Sequence, residues 1–254
     1  MTAIAPIYLP VLFATGAAAG LIDSIAGGGG LITVPVLLGL GLPPQAALGT
    51  NKLQGSFGSF SAMVHFVQAG TVNLSDAAAG AAWTAAGAIL GSYTVQQLDP
   101  GFLKQGIPFL LMAILCYTIF TPRLGAEEVH PRLSRGLFYA VAGLALGFYD
   151  GFLGPGTGSF WVMALMLGLG FDMRKGTGYT KVFNFVSNIV SLAVFLAGGE
   201  VLLLPGVVMG VGQAVGARVG ARLVIRKGTR FVRPVFICSV LAVTTKLFWD
   251  NYLR

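Results

Sequence analysis

Residues 182–197 run sixteen positions without a charge, and residues 102–120, 135–149 and 201–215 come close to the same state. Runs of this kind approach or reach the roughly 20 apolar residues a helix needs to cross the hydrocarbon layer. Charged side chains make up 10% of the 254 residues against 55% hydrophobic ones, with a mean hydropathy of +0.80. So few charges leave the surface of a water-soluble domain of this size uncovered. A membrane-spanning barrel would instead alternate apolar and polar residues over short segments, which the chain does not do. The fold class expected is therefore an all-α integral membrane protein with the lipid bilayer as its first partner.

The formal net charge is +7, and six of the cations, Arg218, Arg222, Arg226, Lys227, Arg230 and Arg233, fall in one stretch. Nucleic-acid binders interleave such charges repeatedly with aromatics, whereas this stretch holds Phe231 alone, so no nucleic-acid partner follows. The positive-inside rule accounts for it as a cytoplasmic loop. The fourfold spacing of Arg218, Arg222 and Arg226 puts them on one helix face, read as interface anchors. Gly212, Gly216 and Gly220 form a packing seam on the same helix. Cys116 and Cys238 lie apart in apolar runs and read as packing residues. The first twenty residues contain no Lys or Arg, so the start is expected to belong to the mature fold and not to a cleaved leader.

The chain reads as one unit written twice. Asp23 precedes Gly27 by four residues, as Asp150 precedes Gly154. The run 38–42 lies fourteen residues before Lys52, and 167–171 lies the same distance before Lys181. Gly49 pairs with Gly178, Gly70 with Gly199, Gly87 and Gly91 with Gly212 and Gly216, and Pro108 with Pro234. Residues 1–120 and 136–254 form the two repeats, and the polar segment 121–135 links them. Each repeat has a glycine-interrupted segment, 5–42 or 136–171, followed by three longer ones at about 46–69, 75–97 and 101–120, then 176–197, 201–223 and 230–249. The apolar run 31–42 would be only about 18 Å long as a helix, too short to cross alone, so a broken or re-entrant hairpin is expected. A hairpin that returns to its own side makes the repeats inverted, and one that crosses makes them parallel. Charge favours inversion, with both termini outside and the segments carrying Arg123, Arg132, Arg135, Arg174 and Lys175 inside.

Two features carry the chemistry. Asp23 followed by Gly27, Gly28, Gly29 and Gly30 sets a carboxylate beside bare backbone at membrane depth, where irregular chain is tolerated only if buried or lining a cavity. Exposed amides and the positive end of the helix that follows make this an anion site, or alternatively a seam for close helix packing. Asp150 with Gly154, Gly156 and Gly158 repeats the pattern and adds the hydroxyls of Thr157 and Ser159. The second feature is Lys52 and Lys181, each within a polar stripe: Thr50, Asn51, Gln54 and Ser56 in one case, Thr180, Asn184, Ser187 and Asn188 in the other. These lysines either line a substrate path, snorkel to the interface or bond between helices. Asp23 and Asp150 either carry protons and gate the path or pair with the two lysines. His65 and His130 are the only histidines, and no Gly-x-Ser-x-Gly or His-Glu-x-x-His motif occurs, so neither an enzyme nor a cofactor or metal is expected. A passive anion channel stays open as an alternative, and an oligomer is compatible with the pattern.

The motifs from Gly20 through Asp23 to Gly30, Gly49 to Gln54, Gly147 through Asp150 to Gly156, and Thr180 with Lys181 resemble those of the sulfite exporter TauE/SafE family, also called the TSUP permeases. The likeness covers nearly the whole chain and lies closest to bacterial inner-membrane proteins described as membrane transporters. It implies a multi-pass protein of the bacterial inner membrane that moves sulfite, sulfonates or related organic anions. Asp23, Lys52, Asp150, Lys181 and the motif glycines inherit a place in the site from it.

Overall fold

The computed structural model describes residues 5–103, 105, 106, 109 and 133–227. The expected segments 101–120 and 230–249, the linker and both cysteines lie wholly or largely outside the described residues. Among those described, all regular structure is helical. After a 3₁₀ turn at Pro6–Tyr8 come α1 (Leu9–Ala26), α2 (Gly30–Gly39), α3 (Pro44–Gln68) and α4 (Leu74–Gln96). The second set is α5 (Arg135–Phe152), α6 (Thr157–Leu169), α7 (Met173–Ala197) and α8 (Leu203–Lys227).

Local chemistry sets these bounds. Gly27 ends α1 in the left-handed region at φ 73°, a conformation that costs other residues about 1–2 kcal/mol. Pro44 opens α3, where a missing N–H costs nothing. Asn73 caps α4 by accepting from the amides of Ser75 and Asp76, and Asp172 caps α7 by accepting from Lys175 N. The 10 residues of α2 and 13 of α6 give lengths of about 15 and 20 Å, so neither spans by itself, as the short apolar run 31–42 predicted for α2. Helices Pro6–Ile25, Met173–Ala197 and Leu203–Arg226 are long and apolar enough to cross a membrane.

Polarity is distributed inside out. Val207, Val211, Val215 and Val219 form an exposed stripe on α8, and Trp83, Ile89, Leu90, Tyr93, Val141 and Phe148 are exposed on α4 and α5. Thr50, Asn51, Lys52, Gln54, Thr180, Lys181, Asn184 and Ser187 are buried. Such an arrangement suits an apolar solvent around a polar interior. Arg218, Arg222 and Arg226 are exposed, as anchors would be.

Two glycine seams join helices that are far apart in sequence. A Cβ on Gly212, Gly216 or Gly220 would strike the carbonyls of Phe13, Ala17 and Leu21, and one on Gly16 or Gly20 would strike those of Met209 and Gln213. The second seam sets Gly87 and Gly91 of α4 against Leu144 and Phe148, and Gly143, Gly147 and Gly151 of α5 against Trp83, Thr84 and Ala88. Backbones this close gain packing and weak Cα–H···O contacts that apolar bulk could not supply within lipid. The packing seam expected on α8 is thus present and has a partner in α1.

The rising register of these contacts fixes direction. α1 runs parallel to α8, and α4 parallel to α5. Gly206 meets Leu53 and Gly210 meets Phe57, so α3 also runs with α8. Gly178 meets Val72, Gly80 meets Phe183 and Gly198 meets Gln96, so α7 runs with α4. Gly49 meets Phe195 while Gly55 meets Asn188, which makes α3 and α7 antiparallel. Helices α1, α3 and α8 therefore point one way, and α4, α5 and α7 the other. Since α3 starts at the end where α1 starts, the α1–α2 hairpin turns back, and by the same reasoning so does α5–α6. Arg135, Arg174, Lys175, Arg218, Arg222 and Arg226 all gather at one end of the bundle.

Candidate functional site

Lys52 is the ninth residue of α3 and Lys181 the ninth of α7, which places each about 12 Å inside its helix. Both are 0% exposed. This departs from the snorkelling alternative, since an interfacial lysine keeps its head in water. The ammonium groups instead cross between the two sets of helices. Lys52 Nζ lies 2.8 Å from Asp150 Oδ1, and Lys181 Nζ lies 3.0 Å from Asp23 Oδ2. Each lysine also donates to the main-chain carbonyl of its aspartate. Asp23 and Asp150 sit in the last turns of α1 and α5, so the lysines neutralise a carboxylate and the negative end of a helix together.

The two pairs differ in their remaining bonds. Asp150 accepts from the Ser187 hydroxyl at Oδ2, so both of its oxygens hold side-chain partners. The other oxygen of Asp23, Oδ1, accepts only a 3.3 Å bond from the amide of Gly29. Side-chain exposure is 13% for Asp23 and 5% for Asp150.

The breaks between α1 and α2 and between α5 and α6 cross at this level. A Cβ on Gly27 would collide with the backbone of Gly158, and one on Gly158 with Gly27. Gly154, at φ 92°, leaves room for the Lys52–Asp150 pair, because a Cβ there would stand 2.7 Å from Nζ and 2.9 Å from Oδ1. Here the glycines serve as the close-approach seam and as the start of two short helices. The N-termini of α2 and α6 bring positive dipole ends to the crossing, while the amides of Leu31, Ile32, Thr157 and Ser159 are already bonded to carbonyls of the turns before them.

Beside the crossing lies a polar cavity with a volume of about 30 Å³, room for roughly two waters. Its wall contains Asp23, Gly27, Gly30, Asn51, Asp150, Gly154, Gly158 and Asn184 from the expected set. Gly28, Gly29 and Gly156 are in the breaks but off the wall, and Lys52 and Lys181 stand behind their aspartates. The wall is completed by Gln54, Gly55, Thr157, Asn188 and Gln213. Asn51 Oδ1 accepts from Thr33 Oγ1 at 2.6 Å and from Gln54 Nε2 at 2.7 Å. Gln54 Oε1, Asn184 Oδ1 and Gln213 Oε1 are buried without a partner, a state that normally costs about 1–3 kcal/mol each. All three are acceptors, so what they lack is a donor such as a water or a protonated group. Sequence reasoning passed over Gln213 and Thr33. Gln213 is the sole polar side chain in the run 201–215, and the one signal for it is that a lone amide within a membrane helix needs a partner.

Among the described residues, apolar helices, two broken helical hairpins and a buried polar cavity are the parts from which membrane transport proteins are built. The chain belongs to the sulfite exporter TauE/SafE family, whose model matches residues 12–247. It is 45% identical over 243 residues to a probable membrane transporter protein of Haemophilus influenzae, covering 96% of this chain and 95% of the relative. The probable membrane transporter protein YfcA of Escherichia coli K12 is 42% identical over 249 residues, covering 98% and 93%. A probable membrane transporter protein of Sinorhizobium is 43% identical over 242 residues, covering 95% and 93%. No solved structure matches the chain.

Proposed function

We propose that this protein is a secondary transporter that carries a small anion across the bacterial inner membrane by alternating access. The observation that carries the reading is the polar cavity at the crossing of the two broken hairpins, flanked by the paired lysines. In the first-turn amides of α2 and α6, Gly30 and Gly158 face the cavity together with the Asn51 and Asn184 amides. With Lys52 and Lys181 balanced by Asp150 and Asp23, the helix N-termini leave the cavity positive enough for one small oxyanion. The family description names sulfite, and sulfonates and related organic anions share its charge and oxygen geometry.

The halves 1–120 and 136–254 are read as one repeat inserted in opposite senses. Opposed directions of α1 and α5, of α3 and α7, and of α4 and α8 support this, as do the crossed ion pairs. Exchange of roles between two such halves is the ordinary route to alternating access around a fixed midplane site. The end that gathers Arg135, Arg174, Lys175 and Arg218 is assigned to the cytoplasm. A cysteine placed at the C-terminus, in a chain lacking Cys116 and Cys238, is expected to react with an impermeant thiol reagent from outside. Labelling only after permeabilisation rejects the topology.

The function is tested in proteoliposomes with labelled sulfite, thiosulfate, a sulfonate such as taurine, and acetate. Saturable flux of at least one, with counterflow, is the expected result. Flux that rises linearly with concentration and conducts current assigns an anion channel, and absence of flux for all four rejects the reading.

A further inference from the structure

The two aspartates are not interchangeable, and the reason lies in one position of the facing helices. Ser187, which closes the second oxygen of Asp150, is six residues past Lys181; the residue six past Lys52 is Gly58. The hydroxyl is thus missing from the Asp23 side of the site. Its space is taken by Gln213, since a Cβ on Gly58 would run into the Gln213 side chain, 2.6 Å from Nε2 and 2.7 Å from Cδ. Gln213 is 3% exposed, its Oε1 has no partner, and it shares the cavity wall with Asp23. Its backbone also packs against Gly20, one turn before Asp23 on α1.

We propose that Asp23 is the carboxylate that takes up the coupling proton of the transport cycle, and that Gln213 is the positioning residue that receives its O–H. This rests on the transport reading above and names its coupling ion. A carboxylate accepts and never donates, so an amide oxygen is no partner for charged Asp23. Protonation supplies the missing donor: a proton from water adds to Asp23, and the new O–H donates to Gln213 Oε1. Lys181 keeps its own proton, so the site gains one positive charge, which an entering monoanion cancels. Proton and anion then travel together in a site that is neutral both empty and loaded, the state that costs least at membrane depth.

The groups around Asp23 are consistent with this. α7 presents Lys181, α2 the Gly29 amide, α6 the Gly158 backbone and α8 the neutral Gln213. Across the cavity Asp150 is committed to Lys52 and Ser187. Asp150 is therefore the fixed member of the pair of aspartates.

Infrared difference spectra of the reconstituted protein on stepping the pH down test this without any substrate. The carbonyl band of a newly protonated carboxylic acid is expected in the wild type, absent in Asp23→Asn and retained in the neutralised double variant Lys52→Gln/Asp150→Asn. Gln213→Leu, which preserves both ion pairs, is expected to keep the band but move it, because its hydrogen-bond partner is gone. A wild type without the band, a band that survives in Asp23→Asn, or loss of the band in the double variant overturns the assignment to Asp23. An unmoved band in Gln213→Leu overturns the role of Gln213. In parallel, labelled sulfite uptake driven by an inward proton gradient is expected in the wild type and abolished in Asp23→Asn, with counterflow persisting. Counterflow without any response to the proton gradient overturns the coupling role. A band assigned to Asp23 with no flux of any tested anion sinks the transport reading while upholding Asp23 as a proton site.

Discussion

Lys52–Asp150 and Lys181–Asp23 are one chemical pair built twice from matching positions, and they differ in how completely they are enclosed. The first has every carboxylate oxygen bonded by a side chain; the second has one oxygen held by a long backbone contact and faces the cavity more openly. Two pairs of the same chemistry are thus enclosed to different degrees, the sealed one suited to holding the structure and the more open one to the proton uptake proposed for Asp23.

Replacing one member of a sealed pair gives the widest separation between the two. Lys52→Gln leaves Asp150 buried without its cation, a loss of about 3–5 kcal/mol, and the folded fraction recovered in detergent is expected to fall sharply. Lys181→Gln is expected to cost visibly less, because water in the cavity can reach Asp23. Thermal melting of the two purified variants compares them, and equal losses would end the distinction. Because both lysines are buried in ion pairs, Lys→Gln at Lys52 reads out stability before it reads out substrate binding.

Gly154→Ala comes next, at about 3 kcal/mol, of which ~1–2 is left-handed backbone strain and the rest is displacement of the Lys52–Asp150 pair. The control is Gly41→Ala, at φ 84° with open space around its missing Cβ, where strain alone remains. Ser187→Ala removes a hydrogen bond to a charged group, worth about 1.5–3 kcal/mol, and should lower the melting temperature less than Lys52→Gln does. Gly41→Ala itself, at about 1–2 kcal/mol, is the smallest effect and sets the baseline for the other four.

Much of this architecture was legible in the sequence. Glycine punctuation marked the breaks at Gly27 and Gly154, and the apolar runs marked α7 and α8. The short length of the run 31–42 foretold a hairpin. Asp23, Asp150 and the polar stripes around Lys52 and Lys181 were visible because polar side chains at membrane depth need a reason. What stayed hidden was who bonds to whom. Pairing of Lys52 with Asp150 and of Lys181 with Asp23 is a long-range contact that no local periodicity encodes, and the sequence left it open beside two other readings. Gln213 went unnoticed because α8 reads as a glycine seam with an apolar face, and a single amide adds little to either pattern. The directions of the helices, too, follow from which glycines touch which carbonyls, information that exists only once the chain is packed.

Those glycine seams also bear on how the protein is made. α1 leaves the ribosome well before α8, yet the surface that fits it belongs to α8, nearly the whole described chain later. At the usual ~5–20 residues added per second, α1 waits roughly ten to forty seconds for its mate, with Gly16 and Gly20 facing lipid or the insertion machinery meanwhile. The bundle therefore cannot be completed step by step behind the moving ribosome. Helix α1 is held in trust until the last described helix arrives, and a chain truncated before residue 203 would expose an unfilled groove to membrane quality control.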